Sequence, residues 1–271
     1  MRVHELNSVL EDYSALGSVL YIERPLVEGI NDKNIFKAVF MAGGPGSGKS
    51  FISDMLIGRG KGPVSGLGAV VVNSDHIFEK KLMQAGLPSV MSDDPEEYAK
   101  QMDIRAAAKA ITDSRMKYWL DGMLPLVIDG TGKNFSKIAK KANALRSMGY
   151  DVSMVFVNTS LEVALERNAE RPRQVKPELV KEMWQGVQKN MGKFQSFFGS
   201  ANYKIIDNSK SLDDRGIESM KKKLFNIGSG LLEKPLKNRT GKAVINQMQI
   251  AKVKTLSELV AYHEKKRTKK S

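Results

Sequence analysis

An eight-residue run, Gly43-Gly44-Pro45-Gly46-Ser47-Gly48-Lys49-Ser50, follows directly on the apolar stretch Ile35 to Met41. It fits the GxxxxGK[ST] pattern without a gap, in the strand, loop and helix order of a phosphate-binding loop. Glycines let successive main-chain N–H groups turn inward around a polyphosphate. Lys49 can reach the β- and γ-phosphates, and the Ser50 hydroxyl can hold Mg²⁺. The spacing therefore predicts a nucleoside-triphosphate site, ATP or another NTP with Mg²⁺, built from Gly43 through Ser50 and the adjoining Phe51. The plainer alternative is a glycine-rich turn that only joins strand to helix.

Apolar runs of strand length alternate with amphipathic runs of helix length, the pattern of an α/β fold whose parallel sheet is covered on both faces. Five strands are expected, at Ile35 to Met41, Ala69 to Asn73, Leu124 to Asp129, Val152 to Asn158 and Tyr203 to Ile206. Helices are expected at Ser50 to Ile57, Asp75 to Ala85, Asp94 to Trp119, Phe135 to Ser147, Leu161 to Arg171 and Pro177 to Phe198. With 271 residues, the chain divides into an amino-terminal helical segment (1–34), a doubly wound domain (35–208), and a helical extension with a basic tail (209–271). The Gly58 to Gly68 stretch, with five glycines and a proline, reads as a surface connection.

Composition excludes several classes. There is no cysteine and there are three scattered histidines, so neither a disulfide framework nor a zinc cluster is expected. No run approaches the roughly 18 apolar residues of a membrane span. A cytoplasmic protein without a membrane partner is the expectation. The net charge is +13, but residues 232–271 hold 11 Lys/Arg against three Glu, so the excess is concentrated in the tail. That tail, ending Glu264-Lys265-Lys266-Arg267-Thr268-Lys269-Lys270-Ser271, reads either as a nucleic-acid contact or as a solvated end.

In open α/β sheets ligands lie beyond the carboxyl ends of the strands. Three such places carry chemistry. The second strand ends in Asn73-Ser74-Asp75, the third in Asp129-Gly130-Thr131-Gly132-Lys133, and the helix after the fourth in Glu166-Arg167-Asn168-Ala169-Glu170-Arg171-Pro172-Arg173. Phosphoryl transfer needs in-line positioning and neutralisation of spreading charge. Arg167 and Arg171, four apart on one helix face, with Arg173 beyond them, suit a lid over the triphosphate; the alternative is pairing with Glu166 or Glu170. Asp75 is the candidate base for an alcohol acceptor, with a helix cap or a water-mediated Mg²⁺ contact as competing roles. Asp129 is either a second carboxylate on lid or metal water, or a strand-end turn residue. Lys133, Lys137, Lys140, Lys141 and Arg146 form either a basic stripe toward an anionic acceptor or an ordinary exposed helix face.

Together these residues resemble the small P-loop kinases that include the bacteriophage polynucleotide 5′-kinases and the zeta toxins, over about residues 36–206. The likeness to polynucleotide kinases lies in the phosphate loop, the Asn73-Ser74-Asp75 tip, and Leu165-Glu166-Arg167-Asn168-Ala169-Glu170-Arg171 followed by Val175 and Met183-Trp184. It implies Asp75 as general base, Arg171 as the transition-state arginine and Asp129 as the carboxylate that fixes it. The likeness to zeta toxins lies in Asp129 to Lys133, a substrate-side turn that includes Thr131. Phe78 stands where polynucleotide kinases carry an arginine for the acceptor phosphate, and no phosphatase half follows Asn208. The resemblance implies a kinase acting on a nucleotide-type hydroxyl, a nucleic-acid 5′-OH or a hydroxymethylated base. A nucleotide-sugar kinase and a non-catalytic ATP-binding module are the alternatives.

Overall fold

The computed structural model describes residues 29–58, 66–170, 174–210 and 212–268. The first 28 residues, most of the glycine-rich connection, and Arg171 to Arg173 lie outside them, so the amino-terminal helix and two of the three expected lid arginines are outside the described structure.

Five strands, β1 (Lys37–Ala42), β2 (Val70–Val72), β3 (Leu126–Asp129), β4 (Asp151–Asn158) and β5 (Tyr203–Asp207), form one parallel sheet in the order β2-β3-β1-β4-β5. Helices α1 (Lys49–Leu56), α2 (Asp75–Gln84), α3 (Pro95–Asp121), α4 (Phe135–Ser147), α5 (Leu161–Ala169), α6 (Pro177–Phe198), α7 (Asp214–Leu232), α8 (Arg239–Ala251) and α9 (Leu256–Thr268) surround it. The five strands and six helices expected between residues 35 and 208 are all present, and the differences in their bounds have local causes. Phe36 and Met123 have φ of 58° and 59°, in the left-handed region, so the pleat starts one or two residues after the apolar run begins. Helix α3 opens as read, with the Asp94 carboxylate accepting from Glu97 N at 2.9 Å and Pro95 in the first turn.

β1 is buried along its whole length, and its alternation assigns two layers. Ala38, Phe40 and Ala42 pack with Met116, Leu145, Val187, Phe194 and Phe198 of α3, α4 and α6. Val39 and Met41 face the other way, against Ile52 and Leu56 of α1 and Leu224, Leu231 and Leu232 of α7. α1 and α7 approach so closely that a Cβ on Gly228 would lie 1.8 Å from the Leu56 carbonyl oxygen.

Residues beyond 208 share these cores. Val244 and Met248 of α8 and Leu256 and Leu259 of α9 join the layer of Phe36 and Tyr150. One carboxylate pins α8 in place. Asp151 pairs with buried Lys37 at 2.8 Å and accepts from Lys237 N (2.8 Å) and Asn238 N (2.9 Å), while Asn238 caps α8 through its side chain. The α9 amino end is held by Asp121 through Ser257, at the sheet end opposite the phosphate loop, and its last turn carries Lys265, Lys266 and Arg267. Among the described residues no helix is long and apolar enough to cross a membrane.

Replacing a helical glycine by alanine ordinarily stabilises by about 1 kcal/mol. At Gly228 the contact with Leu56 reverses the sign, and Gly228→Ala is expected to lose about 2–3 kcal/mol of stability in urea unfolding.

Candidate active site

β1 lies between β3 and β4, so the turn that leaves it faces the tips of both neighbours. Gly46 and Gly48 have φ of 72° and 80°, and Gly48 is the N-cap of α1. Space as well as dihedral requires glycine. A Cβ on Gly46 would lie 2.2 Å from Ala164 O, and one on Gly48 would lie 2.4 Å from Asn208 Nδ2. Gly43 N donates to Thr131 O at 3.2 Å, Asn208 Nδ2 donates to Ser47 O at 2.8 Å, and the Trp184 Cα stands 3.7 Å from where a Gly44 Cβ would be. The loop is thus clamped by the β3 turn, the β5 tip, α5 and α6. Lys49 starts α1, its ammonium donating to Gly43 O at 2.8 Å and to Gly44 O at 3.4 Å; Ser50 is exposed in the same turn.

The neighbouring strand tips bring the two expected carboxylates together. Asn73 Nδ2 donates to Asp129 Oδ2 at 2.8 Å, and the Asp75 amide donates to Asn73 Oδ1 at 2.7 Å, so one carboxamide spans both. Ser74 occupies the N-cap of α2 and Asp75 its first helical position, with an exposed side chain. Asp129 is different. Burial pushes its carboxyl above the ordinary 3.8, the Lys49 ammonium pulls it down, and the Asp75 charge adds to the rise. Its Oδ1 is buried and makes no well-formed hydrogen bond among the described residues, although the adjacent Gly130 N–H pulls the carboxyl down. An unpartnered carboxylate oxygen beside a lysine at the mouth of a phosphate loop fits a site for a metal-bound polyphosphate, as does a cradle with no room for a Cβ.

The turn after β3, expected from the sequence to face the acceptor, is held from α6. Asn190 Nδ2 donates to Gly132 O (3.0 Å) and Lys133 O (2.8 Å), and Lys133 pairs with Glu182 at 2.8 Å, which draws the exposed Glu182 carboxyl below its ordinary range. Thr131 is exposed at the turn, its carbonyl engaged by the phosphate loop. Of the arginines, Arg167 donates to Asn208 O at 2.8 Å and so stands beside the loop. Arg171 and Arg173 fall in the undescribed segment, whose ends are tied by Asn168: its Nδ2 donates to Val175 O at 2.7 Å and its Oδ1 accepts from Val175 N at 3.0 Å.

Asn190 and Asn208 were not singled out by sequence reasoning as parts of the site, and Asn73 and Trp184 entered it only within quoted motifs, with no role of their own. Asn and Trp carry no charge pattern and fit no spacing rule. Asn73 and Asn208 shared one available signal, their place at strand tips on the ligand side of the sheet.

A profile for the family described as Zeta toxin matches residues 30–216, well over half of the chain. The chain belongs to the zeta toxin family. No curated protein sequence matches it. Among solved structures it is similar to one from the PezAT chromosomal toxin–antitoxin system of Streptococcus pneumoniae, with 16% identity, 86% of this chain and 98% of that one covered, and a TM-score of 0.48. It is also similar to a chain of the Pnkp1/Rnl/Hen1 RNA repair complex (19% identity, TM-score 0.39) over 60% of its own length and about half, 48%, of the other. A third is the tunicamycin resistance protein of Deinococcus radiodurans, at 16% identity, 69% and 95% coverage, and a TM-score of 0.36. Membership of the zeta toxin family makes the protein a P-loop phosphotransferase of the nucleotide-kinase type. In this zeta toxin family member the Asp129 carboxyl stands at the tip of β3, at the start of the turn that carries Thr131 and Lys133.

Because the folded Asp129 holds its proton more tightly than the unfolded one, the native state binds the extra proton between the two values, and stability falls as pH rises through that window. Above it the buried charge is a standing cost. Asp129→Asn is therefore expected to raise Tm at pH 7 by about 2–4 °C. In thermal melts the difference should shrink as the pH is brought down toward 3.8.

Proposed function

We propose that the protein transfers the γ-phosphoryl group of ATP to a hydroxyl of a nucleotide-type acceptor, with a nucleic-acid 5′-OH or a hydroxymethylated base preferred. The observation that carries this reading is the Asn73 bridge, which sets exposed Asp75 beside half-buried Asp129, on whose carboxyl the Lys49 ammonium acts.

Loop N–H groups and Lys49 take the β- and γ-phosphates, and Phe51 lies just beyond them on α1. Ser50, with Asp75 and Asp129 through water, would hold Mg²⁺, which supplies charge neutralisation between the phosphates. Asp75 accepts the proton of the acceptor hydroxyl as its oxygen bonds to the γ-phosphorus and the bond to the β-bridging oxygen breaks, leaving ADP. Arg167 holds Asn208 O with one of its five N–H groups and turns charge toward the loop; Arg171 and Arg173 complete the neutralisation from the lid. Asp129, Thr131 and Lys133 form the acceptor side. The basic end of α9 is a second surface for a polyanion.

A nucleotide-sugar acceptor is favoured by one feature. The turn Asp129 to Lys133 is fixed by Gly43, Asn190 and Glu182, a rigid wall suited to a small substrate.

The test is label transfer from γ-labelled ATP with Mg²⁺ to a panel of DNA, RNA, hydroxymethylated DNA, nucleosides and UDP-sugars. Label in a hydroxyl of one of these is expected. Asp75→Asn should lower the transfer rate by about 100-fold or more with ATP affinity kept, while Lys49→Ala loses both. ATP binding without turnover on any acceptor would refute the kinase reading and leave a non-catalytic module.

A further inference from the structure

Beside the sheet stands an arm with a core of its own. Phe78 and Leu82 of α2 and Ala108 of α3 are buried together in a cluster separate from both sheet layers, and the Arg105 guanidinium lies 5.7 Å from the centre of the Phe78 ring. Met116 and Leu120, further along α3, belong to the sheet layer. The thirteen residues of α3 before Ala108, about 20 Å of helix, therefore project past the strands on the ligand side, where α2 begins at Asp75. The loop that ends the arm, 85–94, is built around one buried carboxamide. Gln101 Nε2 donates to Pro88 O (2.9 Å) and Val90 O (2.8 Å), and its Oε1 accepts from Ser92 N (2.8 Å). Three main-chain groups of one loop are thus fixed, and Asp93 follows directly.

Helix α6 meets this loop from the other side. Trp184 stands against Gly44 and Glu182 pairs with Lys133, so the turns before them overhang the phosphate loop and the turn after β3. Lys176 is the N-cap of α6 and follows Val175, which buried Asn168 holds by both its main-chain groups. A cation at a helix N-terminus is disfavoured by the helix dipole. Asp93 answers it, with Oδ1 3.2 Å from Lys176 Nζ. The arm rises from β2 and α6 stands at the turn that leaves β1, so this contact crosses β3, whose tip carries Asp129.

We propose that Gln101 is a positioning residue for the acceptor: it sets the arm's loop so that Asp93 meets Lys176, and the bridge so formed closes the acceptor side of the site over Asp75 and Asp129. The pair itself is exposed and therefore weak, so the bridge opens readily to admit a substrate and release a product. Its geometry comes from the buried carboxamides at either end, Gln101 and Asn168, which hold the two backbones whether the pair is made or broken. Among the described residues the bridge joins the arm to α6 and forms no bond to the Gly43–Ser50 loop, so it acts on the acceptor rather than on ATP. That the bridged space receives an acceptor rests on the reading of the site as a kinase; the bridge itself does not.

The chain has no cysteine, so D93C/K176C supplies its only two thiols. With a short bismaleimide and no ATP, the full chain is expected to cross-link internally about tenfold faster than D93C/K222C, whose second thiol lies on α7, across the sheet. Adding Gln101→Ala should slow the cross-link about fivefold or more. Should that variant fail to fold, Gln101→Glu, which keeps the bond from Ser92 N and loses the two donations, carries the same comparison. On the acceptor that takes label, Gln101→Ala should raise the acceptor KM about tenfold with ATP affinity kept. D93K should raise it less, about threefold, and D93K/K176D should restore it. A cross-link no faster than the control, one indifferent to Gln101, or an ATP KM that rises as much as the acceptor KM would overturn the proposal. Cross-linking as expected with no acceptor labelled would uphold the bridge and refute the kinase reading; a labelled acceptor whose KM ignores Gln101, Asp93 and Lys176 would do the reverse.

Discussion

Everything at this site depends on how little space surrounds the turn between β1 and α1. Ala164 O, Val157 O and the Asn208 carboxamide approach it from three elements, and at Gly43, Gly46 and Gly48 each leaves no room for a side chain. Main chain packed against main chain is what aims a series of N–H groups at one point, because no side chain can intervene. That geometry in turn requires β1 at the middle of a parallel sheet, flanked by β3 and β4. The three-layer packing follows from it.

Around this turn the protein separates positioning from charge. Neutral carboxamides fix backbone: Asn208 holds Ser47, Asn190 holds the Gly132 turn, Asn168 holds Val175, and Asn73 joins two strand tips. None of these adds charge that would compete with a polyphosphate. The carboxylates, by contrast, are set in unlike surroundings: Asp75 is exposed, whereas Asp129 is half-buried and holds its proton more tightly than a free carboxyl.

The strands and helices were legible because buried parallel strands read as apolar runs and their helices as amphipathic ones; Phe135 to Ser147 and Pro177 to Phe198 agree with the structure at both ends. The phosphate loop was legible because its motif is its mechanism. The starts of β1 and β3, which follow left-handed Phe36 and Met123, were not, since left-handed residues without glycine leave no mark in the sequence. Nor could periodicity show that Lys133 and Arg146 would be taken up by α6, because that depends on which helices become neighbours. Residues after 208 read as decoration because their apolar positions are sparse, yet Leu224, Met248 and Leu259 complete both layers.

Asp151 carries this last point further. Its partners are Lys37, at the start of the sheet, and the main chain of residues 237 and 238, some 200 positions later. Proteins are made from the amino terminus, and contacts of such separation form only once both ends exist. During translation, therefore, the nucleotide cradle is synthesised early but the scaffold beneath it stays open, Phe36 and Tyr150 uncovered, until α8 arrives. The stretch that encodes α8 decides when this layer is covered, and a ribosome that stalls before it leaves a nascent product exposing its own interior.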